Sequence, residues 1–82
     1  MKEPIAVEVR FETDGTLYPL AFEWKDNRYI VANQGRQWEV DEIQHFLVMT
    51  ADEQVYELTY SKDENQWILS RHTQDFKPHS TV

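Results

Sequence analysis

The chain has 82 residues, with 15 Asp and Glu against 8 Lys and Arg and a formal net charge of −7. That length accommodates one domain rather than two, and the acidic balance repels phosphate backbones and acidic membrane surfaces unless the few cations cluster. The absence of cysteine excludes disulfides and thiolate chemistry.

A domain this small buries only about two-thirds of its unfolded surface, so a dense core is needed. Three Trp, four Tyr and four Phe supply it. No stretch approaches the ~20 apolar residues that span a bilayer, and MKEPIAVEVR lacks the apolar run of a signal peptide. These features predict a soluble cytoplasmic protein without a membrane partner.

In chain order, Ile5 to Phe11 alternates: Ile5, Val7, Val9 and Phe11 face one way, Ala6, Glu8 and Arg10 the other. This is the pattern of a half-buried strand. Asp14-Gly15 then gives a strong hairpin signal. With those two residues as the loop, Phe11 meets Tyr18, Val9 meets Leu20, Val7 meets Phe22 and Ile5 meets Trp24. Pro19 cannot donate to a ladder, so a bulge or open pairing is expected beside it. A second tight turn at Asp26-Asn27 sets Trp24 opposite Tyr29 and Phe22 opposite Val31.

Gly35 interrupts the third strand. A glycine inside a strand pattern predicts a bulge or sharp bend. Such a bend lets one long strand pass from a first sheet into a second, with Trp38 and Val40 inward again. Asp41 to Gln44 reads as a loop or helical turn, and His45 to Ala51 as a strand. A turn at Asp52-Glu53 places Met49 opposite Tyr56 and Leu47 opposite Leu58. The loop 62–65 then places Tyr60 opposite Trp67 and Leu58 opposite Leu69. No helical period, repeat or low-complexity segment is present.

Two apolar faces on three strands each must cover one another. The predicted fold is all-β: a six-stranded antiparallel meander forming a small SH3-like, partly open barrel or two-sheet sandwich. The domain spans residues 1–72, and residues 73–82 form a disordered tail. The first and last strands are expected as unpaired edges, which predicts a monomer or weak homodimer.

For chemistry, His45, His72 and His79 are widely separated and fit no metal-ligand spacing. Asp41-Glu42, Asp52-Glu53 and Asp63-Glu64 are adjacent pairs in turns. They lack the alternate-position ligands and glycine of a calcium loop and read as solvated turns. No serine lies in a Gly-x-Ser-x-Gly elbow, and Gly15 and Gly35 are too few for a phosphate loop. The expectation is no enzyme, no cofactor and no metal. What remains is aromatic and cationic. Small β-barrels stack bases on exposed aromatics beside cations, and Trp24, Trp38, Trp67, Arg28, Arg36 and Arg71 supply the residue types. Trp24 and Trp67 fall on core faces, whereas Trp38, beside the Gly35 bend and Arg36, is the best candidate for partial exposure, so the candidate binding residues are Trp38, Arg28, Arg36 and Arg71.

The run Tyr18-Pro19-Leu20-Ala21-Phe22-Glu23-Trp24, followed by Arg28-Tyr29, Trp38, Tyr56-Glu57-Leu58 and Trp67, resembles a bacterial family of short uncharacterised all-β proteins. The resemblance spans roughly Pro4 to His72. Some members are thought to lie near Y-family translesion polymerase genes, so the resemblance implies a DNA-repair context and brings no catalytic residues with it. The predicted function is a non-catalytic β-domain acting as a protein-interaction or adaptor module. The alternative is a nucleic-acid-associated domain using the aromatic and arginine side chains, a role the net charge opposes.

Overall fold

The computed structural model describes residues 2–72. It has six strands: β1 (Glu3–Phe11), β2 (Leu17–Trp24), β3 (Asn27–Val40), β4 (Ile43–Thr50), β5 (Val55–Ser61) and β6 (Gln66–Arg71). Each is antiparallel to the next, and β6 returns to β1 to close a barrel. The closing ladder is short: Glu3, Pro4 and Ile5 face Leu69, Ile68 and Trp67. The first and last strands are therefore paired with one another, contrary to the expectation of two open edges. The expected tail at 73–82 lies outside the described residues.

The turns have the chemistry their geometry demands. Lys25 and Asp26 both have positive φ (52° and 65°), as do Asp41 and Glu42 (52° and 68°). Two consecutive left-handed residues make the two-residue turn whose twist matches antiparallel strands. The second reversal is thus Lys25-Asp26, not Asp26-Asn27, and Phe22 pairs with Tyr29 rather than Val31. A two-residue offset preserves the pleat, so Phe22, Trp24, Tyr29 and Val31 still share the inner face. The third reversal is a tight turn at Asp41-Glu42, where a longer loop was expected, and β4 begins at Ile43.

One-residue offsets have larger consequences, because they exchange the two faces of a strand. The first loop holds Thr13-Asp14-Gly15, closed by the Gly15 amide donating to the Glu12 carbonyl at 2.9 Å. Near it, Phe11 faces Leu17 and Val9 faces Pro19, and a bulge at Leu20 restores the expected Val7–Phe22 pair. Leu17 and Pro19 consequently enter the core, while Leu20 is 44% exposed and Phe11, at the strand end, 71%. The fourth reversal takes three residues, Ala51-Asp52-Glu53, with Glu53 at φ 65° and the Thr50 amide donating to the Gln54 carbonyl. This slips β4 by one residue, so Phe46 faces Leu58 and Val48 faces Tyr56. Phe46, Val48 and Thr50 are buried where Leu47 and Met49 were expected.

The core contains Leu17, Phe22, Phe46, Val48, Tyr56, Leu58 and Leu69. Phe22 stacks on Tyr29 at 5.2 Å and meets Tyr56 edge-on at 5.1 Å. Trp67 joins Phe46 and Tyr60 at the other side, at 5.2 and 5.0 Å. Each such side chain contributes about 2–3 kcal/mol by burial. Where β2 and β3 diverge, glutamines replace the backbone ladder: Gln34 Nε2 donates to the Pro19 carbonyl at 2.6 Å and Gln37 Nε2 to the Leu17 carbonyl at 3.3 Å.

The Leu20 bulge is testable by truncation. Leu17→Ala is expected to destabilise by about 2–4 kcal/mol through transfer and cavity terms, and Leu20→Ala by less than ~0.5 kcal/mol. Urea unfolding of both variants checks the assignment. The reverse ranking contradicts it.

Candidate functional site

The outer surface of β3 to β6 carries the only convergence of the candidate residues seen among the described residues. Backbone pairing sets Trp38 beside His45, His45 beside Thr59 and Thr59 beside Ile68, forming one row across four strands. The next row sets Leu47 beside Glu57 and Glu57 beside Arg71. Two ladder irregularities produce this arrangement. In β3 the register shifts between Gln34 and Gln37, which turns Trp38 outward. In β6, Ser70 is an extra residue between the Leu58–Leu69 and Glu57–Arg71 pairs, which brings Arg71 opposite Glu57 instead of onto the inner face.

The side chains form a continuous line. The Arg36 guanidinium lies 5.1 Å from the Trp38 ring centroid. Trp38 stacks on His45 at 5.0 Å with an interplanar angle of 9°. His45 Nδ1 is 2.9 Å from Glu57 Oε2, and Arg71 donates to Glu57 Oε1 from Nε at 2.9 Å and from Nη2 at 2.8 Å. An ionised carboxylate only accepts, so His45 Nδ1 carries a proton and a neutral ring leaves Nε2 as its acceptor. Beside this line, the Thr59 and Ser70 hydroxyls are 3.1 Å apart.

Glu57 is only 6% exposed. Burial alone pushes its carboxyl up. Hydrogen bonds from His45 and Arg71, together with the charge of Arg71 and His45, outweigh that and hold it below the ordinary carboxylate range. The ion pair thus places an anion in the middle of the sheet surface and fixes the ring on which Trp38 stacks.

A groove of about 620 Å³ runs along this surface. Trp38 and His45 form one wall, Ile43, Thr59 and Ile68 lie along it, and Glu57 and Arg71 stand at one end. A smaller hollow of about 280 Å³ lies across the same Trp38–His45 pair, bounded by Leu17, Gln37 and Phe46.

Three of the four expected binding residues, Trp38, Arg36 and Arg71, therefore meet on one surface. Arg28 does not: it makes a bidentate pair with Glu8 at 2.8 and 2.9 Å, at the start of β3. Trp38 and Val40, expected inward, are on the outer face, and Val40 is 51% exposed. His45 and Glu57 were not among the expected residues. Glu57 had a visible signal, a carboxylate between Tyr56 and Leu58 in a strand with core residues on either side. His72 packs near Trp24, with ring centroids 5.7 Å apart. Among the described residues no three His, Asp or Glu side chains form a group able to hold a metal ion. No helix among them is long and apolar enough to cross a membrane.

No protein-family model, curated protein or solved structure matches the chain.

The Glu57 cluster has a defined pH signature. A carboxyl whose folded pKa lies below its unfolded one stabilises the fold above the unfolded value, and this is lost as pH falls through the folded value. Glu57→Gln is expected to cost about 1–2 kcal/mol at pH 7, reflecting the weakened charge-assisted bonds from His45 and Arg71. The difference from wild type should vanish as pH drops below the ordinary carboxylate range. Urea unfolding from pH 7 to pH 3 measures it. A constant difference would mean that the fold leaves the Glu57 carboxyl at its unfolded value.

Proposed function

We propose that the chain is a cytoplasmic, non-catalytic β-domain that binds a segment of another protein in the groove beside Trp38. The observation that carries this reading is the groove itself, an outer hollow where the Trp38 and His45 rings meet the aliphatic side chains of Val40, Ile43 and Ile68, on a barrel whose core is already filled. Aromatic-lined grooves on small β-domains suit extended peptides, which place side chains against the rings at little entropic cost.

The state of the cations supports a protein partner over a nucleic acid. Arg28 is held by Glu8 and Arg71 by Glu57. Arg10 pairs with Glu12 at 2.7 Å. The Trp38 ring is engaged by His45 and Arg36. Stacking a base there requires displacing one of them, and the excess of carboxylates repels the backbone such a base would bring. The non-catalytic reading rests on the hydroxyls. His45 and Glu57 have the form of a base and its orienting carboxylate, but the Thr59 and Ser70 hydroxyls are turned to one another and to the Ile68 carbonyl rather than to the imidazole. Nucleophilic catalysis needs that hydrogen bond.

The test is selection of a displayed random-hexapeptide library on the full chain, with the winning peptides mapped by amide and indole NMR shifts. The expected map centres on Trp38, Ile43 and Ile68, and Trp38→Ala is expected to weaken binding by at least about tenfold, as loss of an aromatic anchor does. Single-stranded oligonucleotides at low salt are expected to leave the spectrum unchanged. Oligonucleotide shifts at Trp38 and Arg36 would replace this reading with the nucleic-acid one.

A further inference from the structure

The groove is not electrically uniform. At one end Arg71 is bound to Glu57. At the other, Asp41 from the β3–β4 turn and Glu64 from the β5–β6 turn line the same hollow as Trp38. The two turns lie side by side because β3 to β6 are consecutive neighbours in the barrel. Neither Asp41 nor Glu64 has an ion-pair partner among the described residues. Ile43, beside the β3–β4 turn, and Ile68, at the β6 end of the Trp38–His45–Thr59 row, supply aliphatic surface in the same hollow.

We infer that the segment bound in this groove is basic: an extended peptide whose Lys or Arg side chain lies between Asp41 and Glu64 while a neighbouring apolar side chain rests on Ile43 and Ile68. The inference builds on the protein-binding reading above and adds the chemistry of the partner. Charge complementarity carries it. Two carboxylates with no ion pair among the described residues line one hollow, from turns at the same end of the barrel, and its other charged residues, apart from Lys2, are already paired. A long basic side chain suits such a hollow, because its methylene stem covers aliphatic surface while its head stays with the carboxylates. The net charge of −7 adds long-range attraction for a basic partner, which raises the association rate and makes it salt-sensitive. An acidic segment would meet Asp41 and Glu64 as like charges.

The experiment compares hexapeptide selections on the wild-type chain and on the double variant Asp41→Asn, Glu64→Gln. Asn tolerates the left-handed backbone that Asp41 adopts, and Glu64 is exposed, so the variant should fold. Unchanged amide dispersion checks this. Groove-mapped peptides selected on wild type are expected to be enriched in Lys or Arg next to an apolar residue. A synthetic, end-capped Leu-Pro-Lys-Leu peptide built on that pattern is expected to bind the double variant about tenfold more weakly, as is its norleucine counterpart to wild type. Its affinity should also fall as salt is raised from 50 to about 300 mM. Groove-mapped peptides lacking Lys and Arg enrichment, or equal binding by the norleucine peptide, would overturn the basic chemistry and leave the binding reading standing. Selected peptides that map elsewhere, or shifts caused only by self-association of the chain, would overturn both.

Discussion

Gly35 lies so close to β4 that a Cβ built on it would sit 2.7 Å from the Leu47 carbonyl oxygen. Real side chains do not tolerate that approach against a backbone atom, so the contact is open only to glycine. It falls within the stretch of β3 that runs along β4, past the end of the β2–β3 ladder at Ile30, inside the second of two register shifts in the strand. The two shifts must be counted together. One residue of slip exchanges the faces of a strand, and two restore them. Val31 faces inward before the first shift, and Gln37 faces inward after the second, opposite Phe46. Trp38 is therefore outside. With one shift alone it would lie opposite Gln44, on the side of Phe46 and Val48, and the outer groove would lose its aromatic wall.

The same logic governs the opposite end of the line. Ser70 is the extra residue that sets Arg71 against Glu57. Without it, Glu57 would face the Ser70 hydroxyl, a buried carboxylate with one fewer cation to offset its desolvation. Bulges concentrate at barrel rims and next to functional positions because they re-aim single side chains without breaking the sheet. Here two of them aim Trp38 and Arg71 at a histidine and a glutamate held by regular pairing between β4 and β5. The surface is thus built by irregular strands flanking a regular pair.

Much of the architecture was legible in the sequence, and the errors have a common cause. Alternation identified Ile5 to Phe11 as a strand, and the pairs Val7–Phe22, Tyr60–Trp67 and Leu58–Leu69 were read correctly. Gly35 marked a real irregularity, the second register shift of β3 against β4, while the strand passes from β2 to β4 earlier, between Ile30 and Val31. Turn residues show that a reversal occurs but not how many residues it spends. Thr13-Asp14-Gly15 and Ala51-Asp52-Glu53 each spend three where two were counted, and the second miscount moved Leu47 and Met49 to the wrong face. The same counting placed Trp38 inward, since one interruption was visible in β3 and two exist. The sequence left closed barrel and open sandwich as alternatives, because the ladder that closes β1 on β6 covers three residues and leaves no periodic trace. His45 and Glu57 stayed hidden because neither belongs to a motif: they are 12 positions apart and meet only once the β4–β5 register is known.

The placement of Trp38 outside the barrel is the claim on which the groove, its partner and the role of Gly35 all rest. It is tested most directly by the proton NMR spectrum of the His45 ring, which lies face to face with the indole at 5.0 Å. Imidazole protons shifted upfield by the Trp38 ring current, with cross-relaxation between the two rings and a return to ordinary positions in Trp38→Ala, are the expected result. Unshifted His45 protons, with Trp38 showing cross-relaxation to Leu58 and Leu69 instead, would put the indole in the core and contradict the account.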